Sequence, residues 1–418
     1  MSAPAPAPAP GSDAGNARRA RRLYMDNAAT SFPKPPAVLD AMIHYTRELG
    51  ASPGRGAYAE SRESARLMNQ CRDRINTLIH GESPSHVIFT LNTTDGLNLA
   101  IRGILHGGKR GGHLITTDLD HNSVLRPFNE MAARWGVAQT RVPCDPVTGL
   151  ADPADIRRAV RPDTRLIAVV HGSNVSGTLQ PIADIGRIAR ECAVPFLVDA
   201  AQTCGHVPLD VQRDCIDLLA APGHKGLLGP LGTGFLYIRP GLEKHLTTLR
   251  EGGTGSVSER DTQPDLMPDR FEPGSHNAIG LIALSEGVQW ILNQTVDKLW
   301  AHEQELVRNM IENLTDWGAM PGLSLLGPQT VKHRCGVFSV RLDQFPNPQD
   351  LSDLLERDYG ILTRSGIHCA PHAHGTFGSL ATGGATRFSF GPFLTSQDVK
   401  FACDALAQVC HQHAPAAT

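Results

Sequence analysis

No two of the nine cysteines stand at C-x-x-C spacing, and their number is odd. That argues against a disulfide framework and for a reducing, cytoplasmic compartment. No apolar run reaches the roughly 18–20 residues that a membrane-spanning helix needs. An excess of one charge is missing too. The 39 Lys and Arg against 42 Asp and Glu leave a formal net charge of −3, which offers no general attraction to nucleic acid or an anionic membrane. No internal repeat is apparent. What remains is a folded globular profile, 41% hydrophobic and 19% charged. At 418 residues the chain exceeds what one hydrophobic core usually serves, so two domains are expected.

Residues 1–22, APAPAPAP followed by GSDAGNARRARR, lack apolar residues able to form a core and read as a disordered tail. The segment has no apolar stretch of the kind a secretory signal carries. Its arginines, Arg18, Arg19, Arg21 and Arg22, would also suit a transit peptide or a phosphate-binding arm, but a solvated tail is the simpler reading. From residue 23 short apolar runs alternate with helical stretches. HVIFT (86–90), HLITT (113–117), RLIAVV (165–170), PFLVDA (195–200) and GFLYI (234–238) are too continuously apolar to have one wet face, which suits strands buried on both sides of a parallel sheet. Segments 95–105, 153–160 and 182–192 read as the helices between them, giving an α/β organisation. A long, broken or bent helical stretch over 284–314 leads into a second α/β region, with strands at 336–342 and 386–391 and a glycine-closed helix at 350–360. The expected division is a large domain over 23–285 and a smaller one over 286–418.

Four segments carry chemistry-bearing residues. In AAPGHKGLLGPLGTG (220–234), Lys225 lies in a glycine-rich turn; it is an ordinary surface lysine or one that forms a Schiff base with a carbonyl cofactor, and the glycine after it rules out a Walker A loop. In FLVDAAQTCGH (196–206), Asp199 ends an apolar strand as a helix cap or as the partner of a cation. LNTTDGLNLAI (91–101) places hydroxyls at a helix start, where they cap the helix or hold a phosphate on free N–H groups. TRSGIHCAPHAHG (363–375) holds Cys369 with Arg364, His368, His372 and His374; zinc ligation is conceivable, but the spacing matches no common structural pattern.

In combination these segments resemble the cysteine desulfurases, fold-type I pyridoxal 5'-phosphate (PLP) enzymes of aminotransferase class V. The resemblance runs from YMDNAATSFPKP (24–35) through DHNSV (120–124), SNVSGT (173–178), DAAQ (199–202), GHK (223–225) and RSGIHC (364–369) to TRFSFGPFLT (386–395). It implies a large domain with a mainly parallel central sheet, its first residues (about 23–37) packing with the small C-terminal domain that carries the catalytic cysteine.

The resemblance also implies roles. Lys225 holds PLP and moves the substrate's Cα proton; Asp199 pairs with the pyridine nitrogen, Gln202 with the ring hydroxyl, and His121 stacks on the ring and takes part in proton transfer. Thr93, Thr94 and His224 bind phosphate, with Ser275 reaching in from a second subunit of a homodimer. Asn174, Arg364 and Arg387 are substrate-binding, Arg364 also favouring the thiolate of Cys369, with His368 as a proton-handling neighbour. Cys369 takes sulfur from L-cysteine as a persulfide, releases L-alanine, and passes the sulfur to an acceptor protein or thiol, as in iron–sulfur cluster assembly. No metal site is implied. Selenocysteine lyase is the alternative on the same scaffold; a plain class V aminotransferase or a non-catalytic sulfur-trafficking scaffold fits less well, because neither needs this constellation. Pro222 stands where a hydroxyl residue is more familiar, Ile367 where a histidine is, and Tyr58 where a histidine is common.

Overall fold

A computed structural model describes residues 22–414 apart from 55, 108–109, 258 and 316–319, so the tail expected over 1–22 lies outside the described residues save for Arg22. The chain enters through a two-residue strand, β1 (Leu23–Tyr24), whose partner comes from far along the sequence. The central sheet then gathers seven strands: β2 (Val87–Thr90), β3 (His113–Thr117), β4 (Ala138–Val142), β5 (Thr164–Val170), β6 (Phe196–Asp199), β7 (Leu218–Pro222) and β8 (Gly234–Ile238). Their order is β2-β8-β7-β6-β5-β3-β4. Neighbours from β7 through β4 are parallel, and β8 alone runs against both its neighbours.

The sheet is apolar on both faces, for a visible reason. Phe196 and Val198 of β6 join one core cluster while Leu197 joins the other; Phe235 and Tyr237 of β8 oppose Leu236 and Ile238 in the same way. Side chains alternate across a strand, so a strand covered on both sides is apolar along most of its length. The helices Thr93–His106 and Asn122–Trp135 contribute to one cluster; Ala59–Leu78, Ile182–Glu191 and Ala278–Gln294 contribute to the other. Parallel order aligns the carboxyl ends of β3, β5, β6 and β7 along one edge, where open α/β sheets place their ligands.

The stretch 284–314 is two helices, Ala278–Gln294 and Val296–Leu314, parted at Thr295. Thr295 has a left-handed φ of 68° and caps the second helix by accepting from the Lys298 N–H. The first helix packs on Ala59–Leu78 of the large domain; the second packs on Ser396–Gln412 of the small one. The small domain is built on a four-stranded antiparallel sheet of β9 (Leu323–Leu325), β10 (Val337–Leu342), β12 (Arg364–Gly366) and β13 (Ala385–Ser389), in the order β12-β13-β10-β9. Between β10 and β12, β11 (Ile361–Leu362) pairs in parallel with β1. Leu23 and Met25 are buried in the small domain's core, so the N-terminal segment bridges the two domains.

Candidate active site

Three turns at the carboxyl edge of the sheet supply the polar side chains. The first follows β7. The Gly223 N–H donates to the Thr233 carbonyl at 2.8 Å and the Gly229 N–H to the Gly223 carbonyl at 2.7 Å, which folds the chain back and presents His224 and Lys225. A Cβ on Gly223 would meet Thr233 Oγ1 at 2.0 Å, so the turn admits only glycine there. Four donors converge on the His224 carbonyl: the Ser31 N–H (2.9 Å), Thr30 Oγ1 (3.0 Å), Ser31 Oγ (3.1 Å) and Lys34 Nζ (3.4 Å). The segment after β1 thus clamps the residue preceding Lys225. Burial first, then the Arg387 cation, lowers Lys225 to about 8, against the opposing pull of Asp199. Asp199, at the end of β6, is buried and accepts from the Ala201 N–H at 2.9 Å. Desolvation raises its carboxyl to about 6 despite that bond and the nearby Lys225.

The second turn follows β3 and carries His121. Its brace is Asp120, fully buried. One carboxylate oxygen accepts from Thr116 Oγ1, the Thr117 N–H and Thr117 Oγ1 at 2.7–2.8 Å, and the other from the Val170 N–H at 2.7 Å, tying the turn to β5. His121 caps the helix Asn122–Trp135: its Nδ1 accepts from the Ser123 N–H at 3.1 Å. An Nδ1 that accepts carries no proton, so neutral His121 bears its hydrogen on Nε2. Burial and then the Lys225 charge hold the imidazole down at about 4, neutral at physiological pH. Ser123 Oγ lies 2.9 Å from that Nδ1 and 2.8 Å from Thr94 Oγ1, linking His121 to the third turn.

There the helix Thr93–His106 begins. Asn92 caps it by accepting from the Asp95 N–H at 3.0 Å, and the Asp95 carboxylate accepts from the Leu91 N–H at 3.1 Å. The N–H groups of Thr93 and Thr94 fall in the first turn, where no intrahelical acceptor exists, beside their own hydroxyls. That is an anion cradle.

A cleft of about 500 Å³, counting its mouth, is lined by Thr93, Thr94, His121, Asn174, Asp199, Gln202, His224 and Lys225 together. The small domain closes its border. Arg364 on β12 faces Arg387 on β13, and Arg387, 1% exposed, donates to Asp26 Oδ1 at 2.8 Å and the Asn174 carbonyl at 3.1 Å. Cys369 is the single exposed cysteine, on a turn where His368 (φ 52°) and Cys369 (φ 58°) are both left-handed. The large domain holds that turn by two bonds: the Asn122 N–H to the Cys369 carbonyl at 2.9 Å, and Asn174 Nδ2 to the His368 carbonyl at 2.6 Å. His368, expected to handle protons beside Cys369, instead has both ring nitrogens engaged within the small domain. Ser275 is exposed and outside the cleft of the single chain. Pro222 lines the cleft without a hydroxyl, as its identity dictates. His372 lies against Arg141, away from His368 and His374, and among the described residues no three His, Cys, Asp or Glu side chains are grouped so as to hold a metal.

Several working residues carry no signal of their own in the sequence. Ser123 and Asn122 sit inside the DHNSV motif, and Asp26 and Lys34 inside YMDNAATSFPKP, so the signal was adjacency to a named motif. Asp120 had only its place before His121.

Buried polar atoms without partners mark where a ligand belongs: His224 Nδ1, Asn174 Oδ1 and Arg387 Nε all lack one. With the anion cradle, an amine at Lys225 and a buried carboxylate at Asp199, this donor set fits a phosphorylated aldehyde bearing a basic ring nitrogen, which is the chemistry of PLP.

Residues 23–401 match the family described as aminotransferase class-V. A probable cysteine desulfurase of Methanothermobacter thermautotrophicus is 32% identical over 93% of this chain and 94% of its own length. A cysteine desulfurase of Escherichia coli O157:H7 is 32% identical over 83% of this chain and 84% of its own. The solved structure of a cysteine desulfurase from Thermococcus onnurineus superposes with a TM-score of 0.85 at 30% identity, covering 94% of this chain and 95% of that one.

Proposed function

The chain belongs to the aminotransferase class-V family, and from that premise we propose that it is a PLP-dependent cysteine desulfurase in which Cys369 is the sulfur acceptor. The observation that carries this reading is the backbone bond from Asn122, next to His121, to the carbonyl of Cys369, because it sets the one exposed thiol beside the turn that carries His121 in the cleft.

Lys225 would hold the cofactor, Asp199 its ring nitrogen, Thr93, Thr94 and His224 its phosphate, and Gln202 its ring hydroxyl. Gln202 spends one amide hydrogen on the Ala28 carbonyl at 3.1 Å and keeps the other. When bound, the cofactor supplies an electron sink for the bonds at the substrate's Cα. Lys225, lowered to about 8, is neutral often enough to take the Cα proton, and Asp199 keeps a negative charge against the ring nitrogen at neutral pH. Neutral His121 offers Nε2–H to the cleft. The free atom of Asn174 is Oδ1, an acceptor for a donor group, since its Nδ2 is spent on His368; Arg387 keeps a buried Nε–H for the substrate carboxylate. Arg364, opposite Arg387, adds positive charge at the border for the substrate carboxylate. The net reaction is L-cysteine plus the Cys369 thiol giving L-alanine plus the Cys369 persulfide. An external thiol then takes the outer sulfur, iron–sulfur cluster assembly being one use.

A homodimer is part of the same reading. Ser275, exposed on the single chain, would complete a phosphate site only from a second subunit, and Leu91 (55% exposed) and Leu231 (67%) present apolar surface next to the cofactor turns. Nine cysteines without a disulfide support a cytoplasmic setting.

The test is a parallel assay of L-alanine release from L-cysteine and L-selenocysteine by the wild type and Cys369→Ala. Loss of the L-cysteine reaction in the variant is expected. Undiminished release by Cys369→Ala would remove Cys369 from the mechanism, and activity confined to L-selenocysteine would favour the lyase reading.

A further inference from the structure

Beneath the turn that presents Cys369 runs a line of polar side chains that the reaction above does not use. Ser379 Oγ stands 2.7 Å from His374 Nδ1, His374 Nε2 stands 3.3 Å from His368 Nδ1, and His368 Nε2 stands 3.3 Å from the Arg364 carbonyl. His374 and Ser379 are fully buried and His368 is nearly so. Burial and then the Arg387 charge hold His368 down at about 2; burial holds His374 at about 4, so both imidazoles are neutral.

One fixed end sets the direction of every bond. A carbonyl can only accept, so His368 carries its hydrogen on Nε2 and shows a bare Nδ1. The contact between the two rings is then a hydrogen bond only if His374 donates from Nε2. That leaves the His374 Nδ1 bare, to accept from the Ser379 hydroxyl. The turn above needs such bracing, because two successive side-chain-bearing residues are left-handed there. Buried polar chains are costly unless each member is satisfied, and this one is.

We propose that His374, oriented by Ser379, is a positioning residue for sulfur transfer: its Nε2–H fixes His368, and through it the left-handed turn from which Cys369 projects. The proposal rests on the reading of Cys369 as the sulfur acceptor. It separates two halves of the reaction, because exchange of the Cα proton of L-alanine with solvent requires Lys225 but no thiol, whereas alanine release from L-cysteine requires both.

The experiment compares holoenzymes of the wild type, His374→Leu, His374→Gln, Ser379→Ala and Cys369→Ser. His374→Leu is expected to lower kcat for alanine release from L-cysteine by about tenfold or more, with KM, cofactor absorbance and Cα exchange within about twofold of wild type. His374→Gln, whose amide N–H can stand in for Nε2–H, recovers most of the loss, and Ser379→Ala falls between. Wild-type turnover in His374→Leu overturns the proposal, as does an equal loss of turnover and Cα exchange. Should His374→Leu fail to fold, wild-type turnover in Ser379→Ala overturns it instead. If Cys369→Ser keeps releasing alanine, the reading of Cys369 falls and the proposal with it; if Cys369→Ser is dead and His374→Leu turns over at the wild-type rate, this proposal alone falls.

Discussion

A lysine that must be a nucleophile toward an aldehyde has to shed its proton near neutral pH, and the surroundings of Lys225 are arranged for that. It is enclosed, and Arg387 adds a like charge, bringing it to about 8. The neutral fraction therefore grows as pH rises through that value. Protein stripped of cofactor is expected to take up added PLP faster as pH rises toward about 8 and to level off above it; stopped-flow absorbance measures this. A rate that stays flat until about pH 10, the range of an unperturbed lysine, would contradict the assignment of that environment. Lys225→Ala is expected to leave no borohydride-stable cofactor on the chain, measured by mass spectrometry.

At the scale of elements, the cleft depends on turns that are locked from beneath. Asp120 gathers four donors from β3 and β5 and sets the position from which His121 starts its helix. Asp120→Ala would leave the Thr117 and Val170 N–H groups buried and unpaired, a loss of about 3 kcal/mol in stability on the usual cost of such groups. A shift in denaturant midpoint measures it, and an unchanged midpoint would mean the turn holds without this carboxylate. This brace was not legible in the sequence. The apolar strands were, since VIFT, FLVD and GFLYI are buried on both faces and are apolar but for Thr90 and Asp199 at their carboxyl ends. The edge strand β4, AQTRV, is half-exposed along most of its length and carries no such signature, so periodicity passed over it. The site motifs were legible because chemistry fixes their side chains. The residues that support them, Asp120, Ser123 and Asn122, act through partners as distant as Val170, Thr94 and Cys369, pairings that no local pattern encodes.

At the scale of the whole molecule the two domains meet along a seam that has its own charged contact. His206 of the large domain lies 2.5 Å from Glu303 on the first small-domain helix, and the other Glu303 oxygen accepts from the Gly336 N–H at 2.6 Å. Burial alone would lower the His206 imidazole; the charge and hydrogen bond of Glu303 outweigh it and hold the group above its ordinary value. A group raised in the folded state contributes stability that is fully present below its unfolded pKa and is lost as pH rises through the folded one. The Tm penalty of Glu303→Gln is therefore expected to be largest near about pH 6 and to shrink toward alkaline pH. A penalty that grows with pH would reverse the sign and refute the pairing. Beside this seam a second cleft, lined in part by Lys225, Gln202 and Phe390, lies between the domains, so a change at the seam borders directly on the cofactor turn.

The most direct measurement of the central claim is mass spectrometry of the holoenzyme after brief exposure to L-cysteine without reductant, with the modified peptide mapped. One added sulfur atom on Cys369, removed by a thiol reductant and absent after Lys225→Ala, is the predicted result. Sulfur on another cysteine, or alanine released in step with substrate while Cys369 stays unmodified, would contradict it.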